Sequence, residues 1–215
     1  MPINYTDPSV DVPPGVDFLD ASEVDAWVAA CEVDKPWRIP MRRRFAELVS
    51  AVPNGAMVLE IGSGPGLLAE CILEACPNVE SYTLLDWSER MLDLSKSRVG
   101  RFQAAHFIQA DFKQPDWCRQ LRSPYAAVVA MQAVHEIRHK RHVPSFYRQV
   151  RDLLEPVGIL AVCDGIPRDT SILWQTSLLM TAEEQLEALT SAGFENVQIE
   201  GQIGSTVFVT GRAPK

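Results

Sequence analysis

The stretch VHEIRHKRHVP places His135, Glu136 and His139 in the order H-E-x-x-H. On a continuous helix that spacing sets two imidazoles one turn apart beside a carboxylate, an arrangement able to ligate zinc and activate water. A second stretch, LEIGSGPGLL, offers different chemistry through Glu60, Gly62, Ser63, Gly64 and Gly66. Glycines so placed let the backbone turn sharply and let a ligand approach its N–H groups, with a helix N-terminus behind. A third set consists of acidic residues that end apolar runs: Asp86 followed by Trp87, and Asp111 followed by Phe112. A carboxylate there can accept hydrogen bonds from ribose hydroxyls, and an aromatic ring can lie against adenine.

Positioning these groups requires strands and helices in alternation, and the hydrophobic pattern supplies them. AMVLEI, SYTLLD, AAHFIQAD, YAAVVAMQ and GILAVCD are apolar runs of strand length. GLLAECILEAC, SERMLDLSKSRV, PSFYRQVRDLL and TAEEQLEALTSAG carry helical periodicity. Ser88 and the Thr181–Glu184 pair are expected N-terminal caps, Pro144 a first-turn proline and Gly193 a C-terminal stop. Upstream, an irregular arm precedes a helix expected to be capped at Ser22, and a second helix is expected after Pro40. NVQIEG and TVFVTGR close the chain as strands. Strands that are apolar on both faces and alternate with helices imply a mostly parallel sheet covered on both sides, an α/β architecture. In such sheets ligands sit beyond the carboxyl ends of the strands, where the glycine loop and the acidic residues fall.

The glycine spacing is G-x-G-x-G, with Leu67 at the sixth position where a dinucleotide fingerprint requires glycine. Glu60, two residues before the loop, would repel a pyrophosphate and suits a cationic ligand. Taken together, VLEIGSGPG, LLDWSERML, FIQADF and LLEPVGILAVCDG resemble the class I S-adenosylmethionine-dependent methyltransferases over roughly residues 45 to 213. The resemblance implies a Rossmann-like seven-stranded sheet of order 3-2-1-4-5-7-6 with the seventh strand antiparallel. It implies S-adenosylmethionine as cofactor, its methionine part on the Gly62–Gly66 loop with Glu60 near the ammonium. Asp86 would meet the ribose, with Asp111 and Phe112 at the adenine and Trp87 beside it. One departure is EPVGIL, where the family has Pro-Gly-Gly and Val157 replaces the first glycine.

In this order of elements the H-E-x-x-H letters lie in a strand-to-helix connection just before Pro144, flanked by Arg138, Lys140 and Arg141. That context disfavours zinc, and no metal is expected. The same connection borders the transferred methyl group in the family. His135 is therefore the expected catalytic base, titrating near neutrality, with Glu136 second. Asp164, ending the fifth strand, is an expected polar group at the rim of the pocket.

Composition narrows the partners. With 28 acidic against 20 basic residues, the net charge of -8 argues against a nucleic-acid backbone. A small organic acceptor is expected instead, under a roof drawn from Trp37, Arg38 and Trp174. The five cysteines form no C-x-x-C pair and read as reduced thiols. Neither a signal peptide nor a membrane-length apolar run is evident, so the expected compartment is the cytoplasm. Residues 1–40 are expected as an arm and helical lid, and residues 41–215 as the methyltransferase domain. The alternatives are a non-catalytic S-adenosylmethionine-binding subunit or scaffold, an NAD-dependent oxidoreductase and a zinc protease.

Overall fold

A computed structural model describes residues 5–215, the side chains of residues 32 and 34 excepted. Two helices, α1 (Ala21–Asp34) and α2 (Arg38–Ser50), precede an alternating run. That run is β1 (Met57–Ile61), α3 (Leu67–Ala75), β2 (Ser81–Asp86), α4 (Glu89–Val99), β3 (Ala105–Gln109) and β4 (Tyr125–Met131). It continues through α5 (Val143–Asp152), β5 (Leu154–Gly165), α6 (Leu173–Leu178), α7 (Ala182–Ser191), β6 (Glu195–Ile203) and β7 (Thr206–Arg212). The strands form one sheet of order β3-β2-β1-β4-β5-β7-β6. β1 to β5 pair in parallel, and β7 runs antiparallel to both β5 and β6. The sheet order implied by the family resemblance is thus the one observed.

The two-residue period of the strands divides the core into two layers. Val128 and Ala130 of β4, with Leu59, Leu160 and Val162, face Phe146, Tyr147 and Val150 of α5 and Leu189 of α7. Ala127 and Val129, with Val58, Leu84 and Ala161, face Phe45 and Val49 of α2 and Ile72 and Leu73 of α3. A polar substitution in the middle of β4 would therefore strand an unpartnered group between two helical layers.

Local signals set the ends of the helices. Ser88 accepts from the Met91 N–H to start α4, and Thr181 and Glu184 form a reciprocal box at α7. Gly193 ends α7 at φ +89°, and a Cβ there would stand 2.5 Å from Arg151 Nη1. Two upstream expectations are corrected. The cap of α1 is Asp20, whose carboxylate accepts from the Ser22 and Glu23 N–H groups, not Ser22; Asp25 pairs with Arg90 instead of closing a box. α2 begins at Arg38, with Pro40 in its first turn, where a missing N–H leaves no hydrogen bond unmade. α2 therefore runs through the boundary drawn after residue 40. β5 is longer than expected, beginning at Leu154 and passing through Val157, which is held at φ +59°. Among the described residues no helix is long and apolar enough to cross a membrane.

Candidate active site

The carboxyl ends of β1, β2, β4 and β5 converge on one edge of the sheet. The glycine loop is pinned there from several sides. Leu85 O of β2 accepts from the Gly62 and Ser63 N–H groups, Asp86 from the Gly64 N–H, and Gly64 O accepts from Ser95 Oγ. Gly62 has φ +66°, and a Cβ on it would fall 2.5 Å from Ala133 Cβ. Gly64, at φ +53°, has open space where its Cβ would stand, so the backbone itself forms the cavity wall.

Glu60 is buried below this loop, and Tyr82 Oη donates to it at 2.8 Å. Burial pushes its carboxyl up to about 8; the Tyr82 hydrogen bond opposes the rise and the Asp86 charge adds to it. Glu60 shares a cavity with Ser63, Gly64, Gln132, Arg38 and Arg42. Ser63 Oγ and Gln132 Nε2 are buried in its wall without a hydrogen-bond partner among the described residues. Orphaned polar atoms beside a carboxyl group and an open glycine backbone fit an amino-acid moiety with an ammonium group.

Asp86, at the end of β2, is also buried. Burial raises it to about 6, against hydrogen bonds from the Ser88, Gly64 and Trp87 N–H groups. It lines the adjoining cavity with the apolar side chains of Trp87, Met91, Phe112, Phe18 and Trp27, and with Lys35, Arg38, Gln132, His135 and Glu136. Phe112 is braced by Phe146 with ring centroids 5.5 Å apart, and Lys113 Nζ stands 5.0 Å over the Trp87 ring. Asp111 is placed differently. β3 ends at Gln109, and the Asp111 carboxylate accepts from the Lys113 N–H and the Gln114 side chain, outside the lining of that cavity.

His135 is held between two carboxylates. Its backbone N–H donates to Asp164 Oδ2 at 2.8 Å, Nδ1 lies 2.6 Å from Oδ1, and Nε2 lies 3.2 Å from Glu136 Oε1. Burial alone would lower the imidazole, but the Asp164 charge and then Glu136 raise it to about 10. Burial likewise opposes ionisation of Glu136, yet His135 and Arg138 depress it to about 2. The side chain expected to titrate near neutrality is thus an imidazolium in the resting protein. Asp164, expected at the pocket rim, is 2% exposed and is occupied by His135 and the Gly165 N–H. Tyr147, buried nearby, has its phenol raised well above the ordinary range by burial and by Asp164.

The H-E-x-x-H letters do not share a helix. A short 3-10 turn over Val134–Ile137 stops at Arg138, which has φ +72°, and His139 is extended at φ -158°. His139 instead contacts Pro8 O through Nε2 and accepts from the Arg141 N–H through Nδ1.

Gln132 escaped the sequence reading. It follows β4 at φ +57°, its N–H donates to Cys163 O, and it lines both cavities and a further cleft. A polar residue ending the central apolar strand was the available signal; the left-handed backbone was not visible. The further cleft, about 630 Å³, is walled by Trp37, Trp174, Ile166, Leu178 and Leu179 and by Lys35, Arg138 and Arg168. Trp37 and Trp174 thus meet there. Arg38 sits deeper, buried with its guanidinium 5.2 Å over the Trp27 ring, and it lines only the first two cavities. The N-terminal arm straps the mouth: Arg138 donates to Val12 O, Arg141 pairs with Asp11, and Ser88 Oγ donates to Phe18 O.

A family model described as "Methyltransferase domain" matches residues 58–158. No curated protein sequence matches the chain. Among solved structures, the CurJ carbon methyltransferase superposes with a TM-score of 0.64 at 19% identity, over 77% of this chain and 50% of that one. Human N-acetylserotonin methyltransferase in complex with S-adenosylmethionine gives 0.70 at 16%, over 91% of this chain and 57% of that one. The N-methyltransferase NodS from Bradyrhizobium japonicum gives 0.65 at 17%, over 84% and 97%. At these identities the likeness is one of fold, and the chain spans little more than half the length of the first two.

Proposed function

We propose that the chain is a class I methyltransferase that transfers a methyl group from S-adenosylmethionine to a small organic acceptor. The observation that carries this reading is the continuity of the site. Gln132, His135 and Glu136 line both the cavity over Asp86 and the larger cleft beneath Trp174. A donor on one side and an acceptor on the other would meet at those three residues.

When bound, S-adenosylmethionine supplies a methyl group on a sulfonium, and the acceptor's lone pair takes it as the carbon–sulfur bond breaks. The protein's part is alignment. Glu60 takes the ammonium, with Ser63 Oγ and Gln132 Nε2 as further polar partners. Asp86 has lone pairs left, after the Gly64 and Ser88 N–H groups, for the ribose hydroxyls. Trp87, Met91, Phe112 and Phe18 enclose the base. His135 is fixed through Nδ1 by Asp164, and its Nε2 contact with Glu136 is the longer of the two. An acceptor entering the cleft displaces Glu136 from Nε2 and receives a hydrogen bond from the imidazolium, which orients it and favours its ionised form.

Thermal denaturation against S-adenosylmethionine, S-adenosylhomocysteine and NADH tests the reading. A ligand at about a hundred times its dissociation constant adds roughly 2.7 kcal/mol, a shift of about 5–10 °C for a chain of this size. Stabilisation by both adenosyl ligands and not by NADH is expected; stabilisation by NADH alone would sink the proposal.

A further inference from the structure

Four ionisable side chains line the acceptor cleft other than His135: Lys35, Glu136, Arg138 and Arg168. Glu136 and Arg138 neutralise each other at 3.1 Å. Arg168 is steadied by Ser205 Oγ at 2.8 Å, at the two-residue turn between β6 and β7. Among the described residues neither Lys35 nor Arg168 has a carboxylate within ion-pair distance. The Lys35 ammonium is lowered, first by burial and then by the charges of Arg38 and Arg168, with Cys31 and Asp164 opposing. Arg168 is exposed and Lys35 half-buried, and both face the one cleft in a chain with 28 acidic and 20 basic residues. The cofactor side holds Arg38 and Arg42 together with the buried carboxyls of Glu60 and Asp86, and Lys35 lines the cavity over Asp86 as well as the cleft, whereas Arg168 lines the cleft alone.

We infer that the methyl acceptor is an organic anion, its carboxylate docking on Arg168 and Lys35 while an apolar body lies along Trp174, Leu178 and Leu179. The inference rests on the methyltransferase reading and names the substrate class of the same site. The cofactor's own carboxylate does not account for Arg168. The cavity beside Glu60 is lined by Arg38 and Arg42, and Arg168 belongs only to the cleft on the far side of His135. The guanidinium fork presents two parallel donors to a carboxylate, which a neutral amide cannot match. The placement also sets a polarity: the anionic end points to the β6–β7 turn and the methylated atom to His135.

The test uses 3-hydroxybenzoate and 3-hydroxybenzamide, equal in size and differing in charge, titrated into the full chain saturated with S-adenosylhomocysteine. The carboxylate is expected to bind about ten- to hundredfold more tightly than the amide. Arg168→Gln is expected to abolish that preference and Arg168→Lys to keep part of it, since the charge remains and the fork is lost. S-adenosylhomocysteine affinity should be the same in both variants as in the unaltered chain. Equal binding of the two probes, binding of neither, or a preference that survives Arg168→Gln would overturn the inference. The cofactor titration separates the two levels: if S-adenosylhomocysteine binds but the preference is missing, only the anionic acceptor falls. If S-adenosylhomocysteine does not bind, the methyltransferase reading falls first.

Discussion

Cofactor affinity should pass through a maximum near pH 8, because Glu60 is a buried acid that must ionise to receive an ammonium. Burial pushes its carboxyl up to about 8, so in the free protein at neutral pH it is mostly protonated. Tyr82, itself raised well above the ordinary phenol range by burial and by Glu60, stays protonated and donates throughout. Only ionised Glu60 completes the pair with an α-ammonium, whose ordinary value is also near 8. The productive fraction is the product of the two, largest near pH 8, about threefold lower near pH 7 and roughly 25-fold lower near pH 6. Above pH 8 the ammonium loses its proton and affinity falls again. Calorimetric titration of S-adenosylhomocysteine from about pH 6 to 9, in buffers of different ionisation enthalpy, reads both the curve and the protons released. Adenosine, which lacks the ammonium, should show only the weaker dependence set by Asp86 near 6. Glu60→Gln should weaken S-adenosylhomocysteine and remove the acid limb. An affinity flat from pH 6 to 8, or unchanged by Glu60→Gln, would refute the assignment of the ammonium to Glu60.

Asp86→Asn should weaken S-adenosylhomocysteine and adenosine alike, by about ten- to hundredfold, as charge-assisted bonds to the ribose are lost; equal calorimetric affinities would exclude Asp86 from the site. Gly62→Ala should destabilise the fold by roughly 1–3 kcal/mol in urea unfolding, since its methyl group meets Ala133 Cβ at 2.5 Å. Val157→Gly should stabilise it by about 0.5–1 kcal/mol: relief of a left-handed valine at φ +59° exceeds the entropy cost of glycine, and the side chain is 46% exposed. His135 is raised to about 10, so its contribution to stability is complete below its unfolded value of 6.5 and is lost as pH rises through 10. Nuclear magnetic resonance should accordingly show no His135 titration between about pH 6 and 9, whereas Asp164→Asn should bring it into that range; a wild-type midpoint near 6.5 would contradict the geometry.

The middle of the sheet was legible because β1, β2, β4 and β5 are apolar on both faces, as strands of a doubly covered parallel sheet are. Glu60, the glycines and Asp86 could be read as candidates because strand-end chemistry is local in sequence: each lies within or just after the apolar run that positions it, and the structure brings them to one edge of the sheet. Asp111 shows where that logic stops. It follows β3 by two residues rather than ending the strand, and the turn it begins claims its carboxylate through the Lys113 N–H. Gln132 and Val157 depend on left-handed backbone, which no side-chain pattern announces outside glycine. The cap at α1 slipped by two positions because Asp20 and Ser22 are both competent caps, and only the path of the preceding arm selects between them.

His135 marks a deeper limit. Its position came from element order, but its protonation is decided by two carboxylates from different places in the chain, Glu136 next to it and Asp164 at the end of β5. Neither letter reveals that Asp164 is buried and turned inward, and that orientation converts an expected base into an imidazolium. The same locality argument disposes of the zinc pattern. H-E-x-x-H acts only when one helix carries both histidines, and Arg138 breaks that helix by entering the left-handed region. Its guanidinium reaches Val12 O and Glu136, and its carbonyl accepts from the Val12 N–H. The residue that ends the turn is therefore also the one that fastens the N-terminal strap over the cleft. A continuous helix through residues 134–142 would move Arg138 off that strap, so the geometry that rejects zinc is also the geometry that holds the arm over the cleft.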